Sequence, residues 1–348
     1  MRVLVLLNPK SGTLASSSTG DEPQRIRRGL EVRGHEVDVR MVDGGGVDEL
    51  IASARAGAYD AVIAGGGDGT LNTIANAMAG GSVPFGVLPL GTHNHFAKDQ
   101  NVPLDLDEAV AALAEAVSAR RFTDLDVGEV NGRVFLNASG IGLHPEFVKE
   151  RDAHYEAVGR LRILRRVLRK GLKLLAGAFA FIGKLGRLPI LQVRIEAEGR
   201  RVRRVSPSLM VCCNVYMMKL LGLDGISCVT RDVLNVYVAR ATGVPGVLRL
   251  LLKAAFRRLD STNPREFEAL CLPALRIVLR RRKLPVSVDG EVVEMRTPLD
   301  YRVRRGGLKV IALVGGGSGG EGESGRGEAE AEAEAPASAS AGSGEGGA

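Results

Sequence analysis

The spacing of apolar and polar residues follows two different rhythms along the chain. In the first part, short apolar runs suited to buried strands alternate with segments in which apolar residues recur every three or four positions. The predicted strands are residues 3–7, 36–42, 60–64 and 85–89, and the predicted helices are residues 24–33, 47–56, 71–78 and 106–119. Asp105 stands where it can cap the last of these helices. Strands that alternate with helices in this way are typical of an α/β domain with a parallel sheet.

The rhythm changes after residue 125. Asn131-Gly132 lies between two apolar runs, which is a strong signal for a two-residue hairpin, and a second hairpin is predicted across residues 198–201. The strands predicted in this part are residues 125–130, 134–138, 209–214, 234–239, 275–279, 286–288 and 308–314. We therefore expect an α/β N-terminal domain at residues 1–125 and a mostly antiparallel β domain at residues 126–314. Whether the last strand returns to the first domain is left open.

The remaining residues, 315–348, form a tail of Gly, Ala, Ser and Glu without large apolar side chains. We expect this tail to be disordered, because it has no apolar surface to offset the entropy of ordering. Its seven Glu and one Arg give it a net charge of −6, so the body carries +13 against +7 for the whole chain. This excess favours an anionic partner, such as nucleotide phosphates, lipid headgroups or nucleic acid.

The amino-acid composition narrows the functional classes to which the protein could belong. Aromatic residues make up only 4% of the chain and Trp is absent, which disfavours an aromatic platform on which the bases of single-stranded nucleic acid could stack. We therefore expect no nucleic-acid partner. The four Cys lack the CxxC spacing of zinc sites and suit buried thiols in a reducing cytoplasm. No apolar stretch reaches the roughly 18–20 residues of a transmembrane helix, and the first apolar run is too short for a signal peptide. We expect a cytoplasmic protein that does not span a membrane.

Three turns made of small or Gly residues follow predicted strands of the first domain. They read NPKSG at residues 8–12, GGGDGTLN at residues 65–72 and LGT at residues 90–92. Because ligands bind outside the carboxyl ends of the strands in an open parallel sheet, we expect the turns to converge on one phosphate-binding crevice. Asp68 is out of place beside phosphate unless a cation bridges the two, which indicates Mg²⁺; the alternative is that Asp68 caps the following helix. No Walker motif or GxGxxG fingerprint is present.

Together with PLGTHNHFAKD at residues 89–99, these motifs resemble the diacylglycerol kinase and sphingosine kinase family, and the bacterial lipid kinases most of all. Further matching segments are residues 125–147, 220–225 and 287–313. The resemblance implies a nucleotide domain followed by a β-sandwich domain, with ATP and Mg²⁺ bound between them and a lipid hydroxyl as acceptor. It places these residues in the ATP site: Asn8, Pro9, Lys10, Ser11, Gly12, Gly65, Gly66, Gly67, Asp68, Gly69, Thr70, Leu71, Asn72 and Thr92.

The resemblance also implies the catalytic residues. Asp68 matches the essential Asp of the family, and Asp289-Gly290-Glu291 matches the DGE motif, whose Glu is the proposed proton acceptor. A carboxylate is a reasonable base for a neutral alcohol, and two acids two positions apart on a strand point to the same side. On spacing alone, VDGE also suits a hairpin turn with exposed acids. The chain departs from the family at Thr73, where many relatives have Glu, and around a second magnesium loop, for which Asp224 and Asp232 are the candidates.

Residues 159–176 place Leu at helical spacing among seven basic residues. This pattern suits a helix that lies on anionic lipid at the inner membrane face, or an ordinary surface helix docked on its own core. A homodimer is also left open. The leading hypothesis is an ATP-dependent lipid kinase of the diacylglycerol type. The alternatives are an NAD kinase, which shares the GGDG loop, and a relative that binds lipid or nucleotide without transferring phosphate.

Overall fold

Two β-sheets form the framework of the protein in the computed structural model. The structure describes residues 1–16, 20–43, 45–146, 190–214, 232–241, 243–255, 263 and 265–313. Within these residues, one sheet has ten strands and the other six, and the strands are numbered in chain order below.

The first part of the chain forms a parallel sheet covered by helices. Its strands are β1 (Arg2–Leu7), β2 (Glu36–Met41), β3 (Ala61–Gly65) and β4 (Phe85–Leu88), in the order β2-β1-β3-β4, with parallel pairing throughout. Its helices are α1 (Gly12–Ser16), α2 (Glu22–Glu31), α3 (Val47–Ser53, continued by a π-helical turn at Ala54–Ala58), α4 (Asp68–Met78), α5 (His95–Asp99) and α6 (Leu106–Ser118). Residues 3–7 and 61–64 are fully buried, as expected for parallel strands with both faces covered.

The second part is antiparallel. Its strands are β5 (Phe122–Val130), β6 (Arg133–Phe135), β7 (Ala138–Gly142), β8 (Leu191–Ala197), β9 (Arg200–Ser206), β10 (Ser208–Cys212), β11 (Leu234–Ala239), β12 (Phe267–Leu272), β13 (Ala274–Leu279), β14 (Lys283–Val288), β15 (Glu291–Arg296) and β16 (Leu299–Ile311). The six-stranded sheet has the order β12-β11-β10-β7-β14-β15. A buried apolar cluster that includes Ile141, Val211 and Val286 from this sheet and Val193 and Ile277 from the other fills the space between them. The two sheets therefore form a sandwich.

Two long strands, β5 and β16, join the two parts. At its start β16 pairs antiparallel with β13, with Tyr301 opposite Leu275, and near its end Val310 lies parallel to Phe85 of β4. The β5–β16 register is interrupted between Arg304 and Leu308. The last strand thus starts in the sandwich and ends beside the parallel sheet, so one continuous ten-stranded sheet runs through both parts.

The fold class predicted from the sequence is confirmed: an α/β first part is followed by a part with an antiparallel sheet. The predicted single strand at residues 134–138 is wrong, because β6 ends at Phe135 and β7 begins at Ala138 in the other sheet. The chain crosses between sheets at Leu136 and Asn137, where both backbone N–H groups donate to Asp289. Strands β12 and β15 were not predicted.

Asp105 caps α6 as expected, with its carboxylate accepting from the backbone N–H groups of Asp107 and Glu108. Helix α7 (Gly243–Ala255) lies in the second part. In the part of the chain that the structure describes, no helix is both long enough and apolar enough to cross a membrane. The amphipathic segment 159–176 and the acidic tail lie outside the described residues.

Candidate active site

The turns that follow β1, β3 and β4 meet at one place. Asn8 donates a hydrogen bond from Nδ2 to Thr70 Oγ1 at 2.7 Å, which joins the first turn to the second. A Cβ atom on Gly91 would stand 2.6 Å from the Cα of Gly67, so the third turn touches the backbone of the second. Only Gly allows so close an approach. The convergence predicted from the strand order is confirmed.

Asn94 shapes the third turn. It adopts a left-handed conformation with φ of 54°, which Asn tolerates better than most residues. Its Oδ1 accepts from the Gly91 N–H at 2.8 Å, and its Nδ2 donates to the Pro89 carbonyl at 3.1 Å. These bonds fix the turn so that Thr92 faces the first turn, where a Cβ atom on Gly12 would stand 3.0 Å from Thr92 Oγ1.

The meeting point of the three turns is open on one side and has an unsatisfied polar atom on the other. Pro9, Lys10, Gly69 and Thr92 are exposed around it. Ser11 is only 6% exposed, and its Oγ has no hydrogen-bond partner within the described residues. A buried hydroxyl without a partner is costly. Its place in a small-residue turn suits an oxygen-rich ligand bound there.

Asp68 is the first residue of α4, and Gly67 is the N-cap. The Asp68 carboxylate does not cap its own helix: Oδ1 accepts from the backbone N–H of Phe96 in α5 at 3.3 Å. The first N–H groups of a helix have no partner within it and carry partial positive charge, so the start of α4 favours an anion. Asp68 therefore places a half-buried carboxylate at an end that otherwise attracts phosphate.

The described carboxylates of this region do not form a metal cage. Among the described residues, no three His, Cys, Asp or Glu side chains come together in a way that would hold a metal ion. Mg²⁺ does not need such a cage, since it is commonly held by one or two carboxylates together with phosphate oxygens and water. Asp68 at the start of α4, an end that favours anions, suits that arrangement. Asp224 lies outside the described residues, and Asp232 is 3.2 Å from the Arg305 guanidinium.

The second acidic motif forms the tight turn between β14 and β15. Asp289 and Gly290 both have positive φ, 47° and 84°, as in a two-residue hairpin. The Asp289 carboxylate points back toward the chain crossing between β6 and β7. Oδ1 accepts from the N–H groups of Asn137 and Ala138 at 2.8 and 3.0 Å, and Oδ2 accepts from the N–H of Leu136 at 2.7 Å. Asp289 thus fastens its own turn to the crossing.

The fourth donor to Asp289 comes from the first part of the molecule. Asn72, which is 1% exposed, donates from Nδ2 to Asp289 Oδ2 at 2.6 Å. Asn72 follows Asp68 by four residues, or about 6 Å along the axis of α4. The GGGDGTLN helix and the VDGE turn are therefore in direct contact, within about one helical turn of Asp68.

Burial affects the ionisation of Asp289. Removal from water raises the pKa of Asp289 to about 6, even though the four N–H donors favour the charged form and lower its pKa. Because its carboxylate accepts four N–H groups, Asp289 holds the turn between β14 and β15 in place.

Glu291, the first residue of β15, is the more accessible acid of the motif. Its side chain is 51% exposed, and Oε2 accepts from the Arg133 guanidinium at 2.6 Å. Of the two acids of VDGE, Glu291 is the more exposed to a ligand from solvent.

Comparison with known proteins agrees with this arrangement. Residues 2–130 match the family model for the diacylglycerol kinase catalytic domain. The resemblance to the diacylglycerol kinase family is confirmed. The matched region contains the turns at residues 8–12, 65–72 and 90–92, while the VDGE turn lies beyond it.

The chain is also similar to proteins described as probable lipid kinases. A "Probable lipid kinase YegS-like" of Pseudomonas syringae pv. syringae is 41% identical over 108 residues, which are 30% of this chain and 34% of that protein. A protein of the same description from Pseudomonas aeruginosa is 39% identical over 107 residues, again 30% of this chain and 34% of the relative. The match spans about a third of the length of these relatives.

A crystal structure of a diacylglycerol kinase from Bacillus anthracis str. Sterne is similar across both parts. It has a TM-score of 0.60 and 18% identity, over 89% of this chain and 96% of that one. At this identity the likeness concerns the fold, and it extends the diacylglycerol kinase architecture to the sandwich.

The site predicted from the diacylglycerol kinase motifs differs in places from what the structure shows. Leu71 is fully buried in the core, so its side chain cannot line a nucleotide site. Asn72, predicted to bind nucleotide, has its amide on Asp289. Three residues of the region were not predicted: Asn94, Asn76 and Arg133. Asn94 lies in the PLGTHNH motif, but its left-handed conformation leaves no periodic signal, and the contacts of the other two are between residues distant in sequence.

Proposed function

We propose that this protein is an ATP-dependent lipid kinase, which transfers the γ-phosphate of ATP to the hydroxyl of diacylglycerol or a related lipid. The observation that carries the proposal is the contact between Asn72 and Asp289. Because of it, the phosphate-type turns of the first part and the exposed Glu291 of the second belong to one connected region. The match of residues 2–130 to the diacylglycerol kinase catalytic domain supports the same chemistry.

In this proposal the three turns bind the triphosphate. Their Gly residues let backbone N–H groups approach the phosphate oxygens, and the start of α4 adds its free N–H groups and partial positive charge. Ser11 Oγ gains the hydrogen-bond partner that the described residues do not provide. Lys10, exposed at the rim, adds a positive charge for the terminal phosphates.

Asp68 is the residue that would hold magnesium, directly or through water. When bound, Mg²⁺ neutralises charge on the phosphate oxygens as the terminal phosphoryl group is transferred. Asp68 would otherwise repel the triphosphate, so its role is to place the cation at the start of α4.

Glu291 accepts the proton of the lipid hydroxyl. As the hydroxyl oxygen bonds to the γ-phosphorus, the bond from that phosphorus to the bridging oxygen breaks and ADP leaves. Glu291 is suited to this role because its carboxylate is accessible while Arg133 holds it in place. Asp289, whose oxygens are taken up by four N–H donors, positions the turn that carries Glu291.

The lipid requires contact with a bilayer, and the charge of +13 on the body favours an anionic surface. We propose a cytoplasmic protein that binds the membrane peripherally. Salt should weaken this binding, since exposed charges are screened.

The test is a transfer assay with purified protein, Mg²⁺ and γ-labelled ATP. Diacylglycerol, phosphatidylglycerol, ceramide and a sphingoid base are offered in vesicles with and without anionic lipid, at low and high salt. We expect label on one of these lipids, with faster transfer on anionic vesicles at low salt. Absence of label on every lipid would refute the proposal, and label on NAD instead would replace it with NAD kinase activity.

A further inference from the structure

One edge of strand β6 is bonded to a side chain instead of to another strand. The strand pairs with β5 on one side, and no other described strand pairs with it. Such an edge exposes backbone N–H and C=O groups that need partners. The Val134 N–H donates to Asn76 Oδ1 at 2.7 Å, and Asn76 Nδ2 donates to the Val134 carbonyl at 2.9 Å. The amide of Asn76 thus takes the place of a neighbouring strand.

Asn76 acts together with Asn72, one turn earlier on the same face of α4. Asn72 Nδ2 reaches both the Val134 carbonyl, at 3.1 Å, and Asp289 Oδ2, at 2.6 Å. Asn76 Nδ2 also donates to the Asn72 carbonyl at 2.9 Å. Two amide side chains therefore fasten α4 to β6 and to the VDGE turn at the same time.

The groups on both sides of Glu291 are fixed by these contacts. On one side, Val134 is held by Asn76, and its neighbour Arg133 donates to Glu291 Oε2. On the other side, Asp289 is held by Asn72, and it stands two residues before Glu291. The position of the Glu291 carboxylate relative to α4, the helix that begins at Asp68, depends on this ring of contacts.

We propose that Asn76 is a positioning residue for phosphate transfer: by holding the edge of β6, it places Arg133 so that Arg133 orients the Glu291 carboxylate. This inference rests on the proposed function. Asn76 touches neither nucleotide nor lipid in this role, and its effect on the reaction passes entirely through Glu291.

A purely structural role predicts a different result. If Asn76 only stabilised the contact between the two parts, its loss would lower the unfolding temperature and change turnover independently of Glu291. If it positions Glu291, its effect on kcat must disappear when Glu291 can no longer act as a base. A double-mutant cycle separates the two cases, because residues that act through one another are not additive.

The experiment measures kcat, the KM for ATP and the unfolding temperature for Asn76→Ala, Glu291→Gln and the double variant. Thr73→Ala is the matched control, since Thr73 is exposed on the same helix and its hydroxyl donates to the Gly69 carbonyl of that helix. We expect Asn76→Ala to lower kcat on the order of tenfold with little change in KM for ATP, and to lower it no further in the Glu291→Gln background. Thr73→Ala should match the wild type.

A second variant covers the case in which Asn76→Ala does not fold. Arg133→Met leaves β6 and its edge intact and removes only the partly exposed guanidinium that holds Glu291. It should reproduce the fall in kcat and likewise have no effect in the Glu291→Gln background.

The two possible failures are distinguishable. An active wild type in which the effects of Asn76→Ala, or of Arg133→Met, multiply with that of Glu291→Gln overturns this inference and leaves the kinase proposal intact. A wild type that labels no lipid overturns the kinase proposal and this inference together.

Discussion

The turn at residues 65–72 and the turn at residues 287–291 contain the same Asp-Gly pair but use it in different ways. In the first, Asp68 opens a helix and accepts one N–H at 3.3 Å, and its side chain is half-buried at an open rim. In the second, Asp289 accepts four N–H donors at 2.6 to 3.0 Å. A carboxylate with few partners remains available to a cation, whereas one surrounded by donors fixes the backbone around it.

The comparison shows that the presence of an acidic residue in a motif is a poor guide to the role of that residue. Both Asp residues lie in segments that resemble motifs of the diacylglycerol kinases, and both were predicted to be catalytic. The carboxylates of Asp68 and Glu291 have few hydrogen-bond partners and can still bind a ligand, while Asp289 links the two parts of the molecule. Mutation of Asp68 should therefore affect mainly phosphate transfer, and mutation of Asp289 should affect mainly stability.

The largest effect is expected at the first turn. Asp68→Ala should lower phosphate transfer by at least about 100-fold, because it removes the carboxylate proposed to place the cation at the phosphates. Stability should change by less than about 1 kcal/mol, since no core packing is lost. Transfer assays and urea unfolding measure the two quantities. Asp107→Ala is the control: it removes a carboxylate that is 65% exposed on α6, and both quantities should stay near wild type. Unchanged transfer in Asp68→Ala would exclude the proposed role.

Much of the first part could be predicted from the sequence because its signals are local. Apolar runs such as residues 3–7 mark strands that are buried on both faces, and the carboxyl ends of parallel strands bring their turns together whatever the details of each turn. Asp105 was recognisable as a cap because it accepts N–H groups two and three residues away. The strands and the cap depend on residues close together in the sequence, and the meeting of the turns follows from the parallel order of the strands.

The contacts across the molecule could not be predicted in the same way. Asn76 and Val134 are 58 residues apart, and Asn72 and Asp289 are 217 apart, so no periodicity links them. The break at Leu136 and Asn137 was also missed, because an apolar run looks the same whether the strand continues or the chain crosses to another sheet. The four donors that decide how Asp289 is used come from this crossing and from α4.

The next effect, on stability rather than on transfer, is expected at the second turn. Asp289→Asn should destabilise the protein by about 2–4 kcal/mol, because an amide oxygen cannot serve four donors and its NH₂ group would face N–H groups. Urea unfolding near neutral pH measures the loss. Asp300→Asn is the control, since it breaks only an exposed ion pair with Arg276 and should cost at most about 1 kcal/mol. Equal stability of the two variants would mean that the four contacts of Asp289 contribute little.

The smallest expected effect is a change of the free energy of unfolding with pH. It shows whether burial or hydrogen bonding has the larger influence on the pKa of Asp289. Its pKa in the folded protein is raised from 3.8 to about 6, so the folded state binds this proton more tightly than the unfolded chain does. The stability linked to that proton is fully present below the unfolded pKa and is lost as the pH rises through about 6. The free energy of unfolding of the wild type, relative to that of Asp289→Asn, should therefore fall by about 1–2 kcal/mol between about pH 4.5 and 7.5. Urea unfolding of both proteins at the two pH values measures this difference, and titration of the other carboxyls cancels in it. A difference that grows with pH would mean that the four donors outweigh burial, and that Asp289 is a carboxylate of lowered pKa in the folded protein.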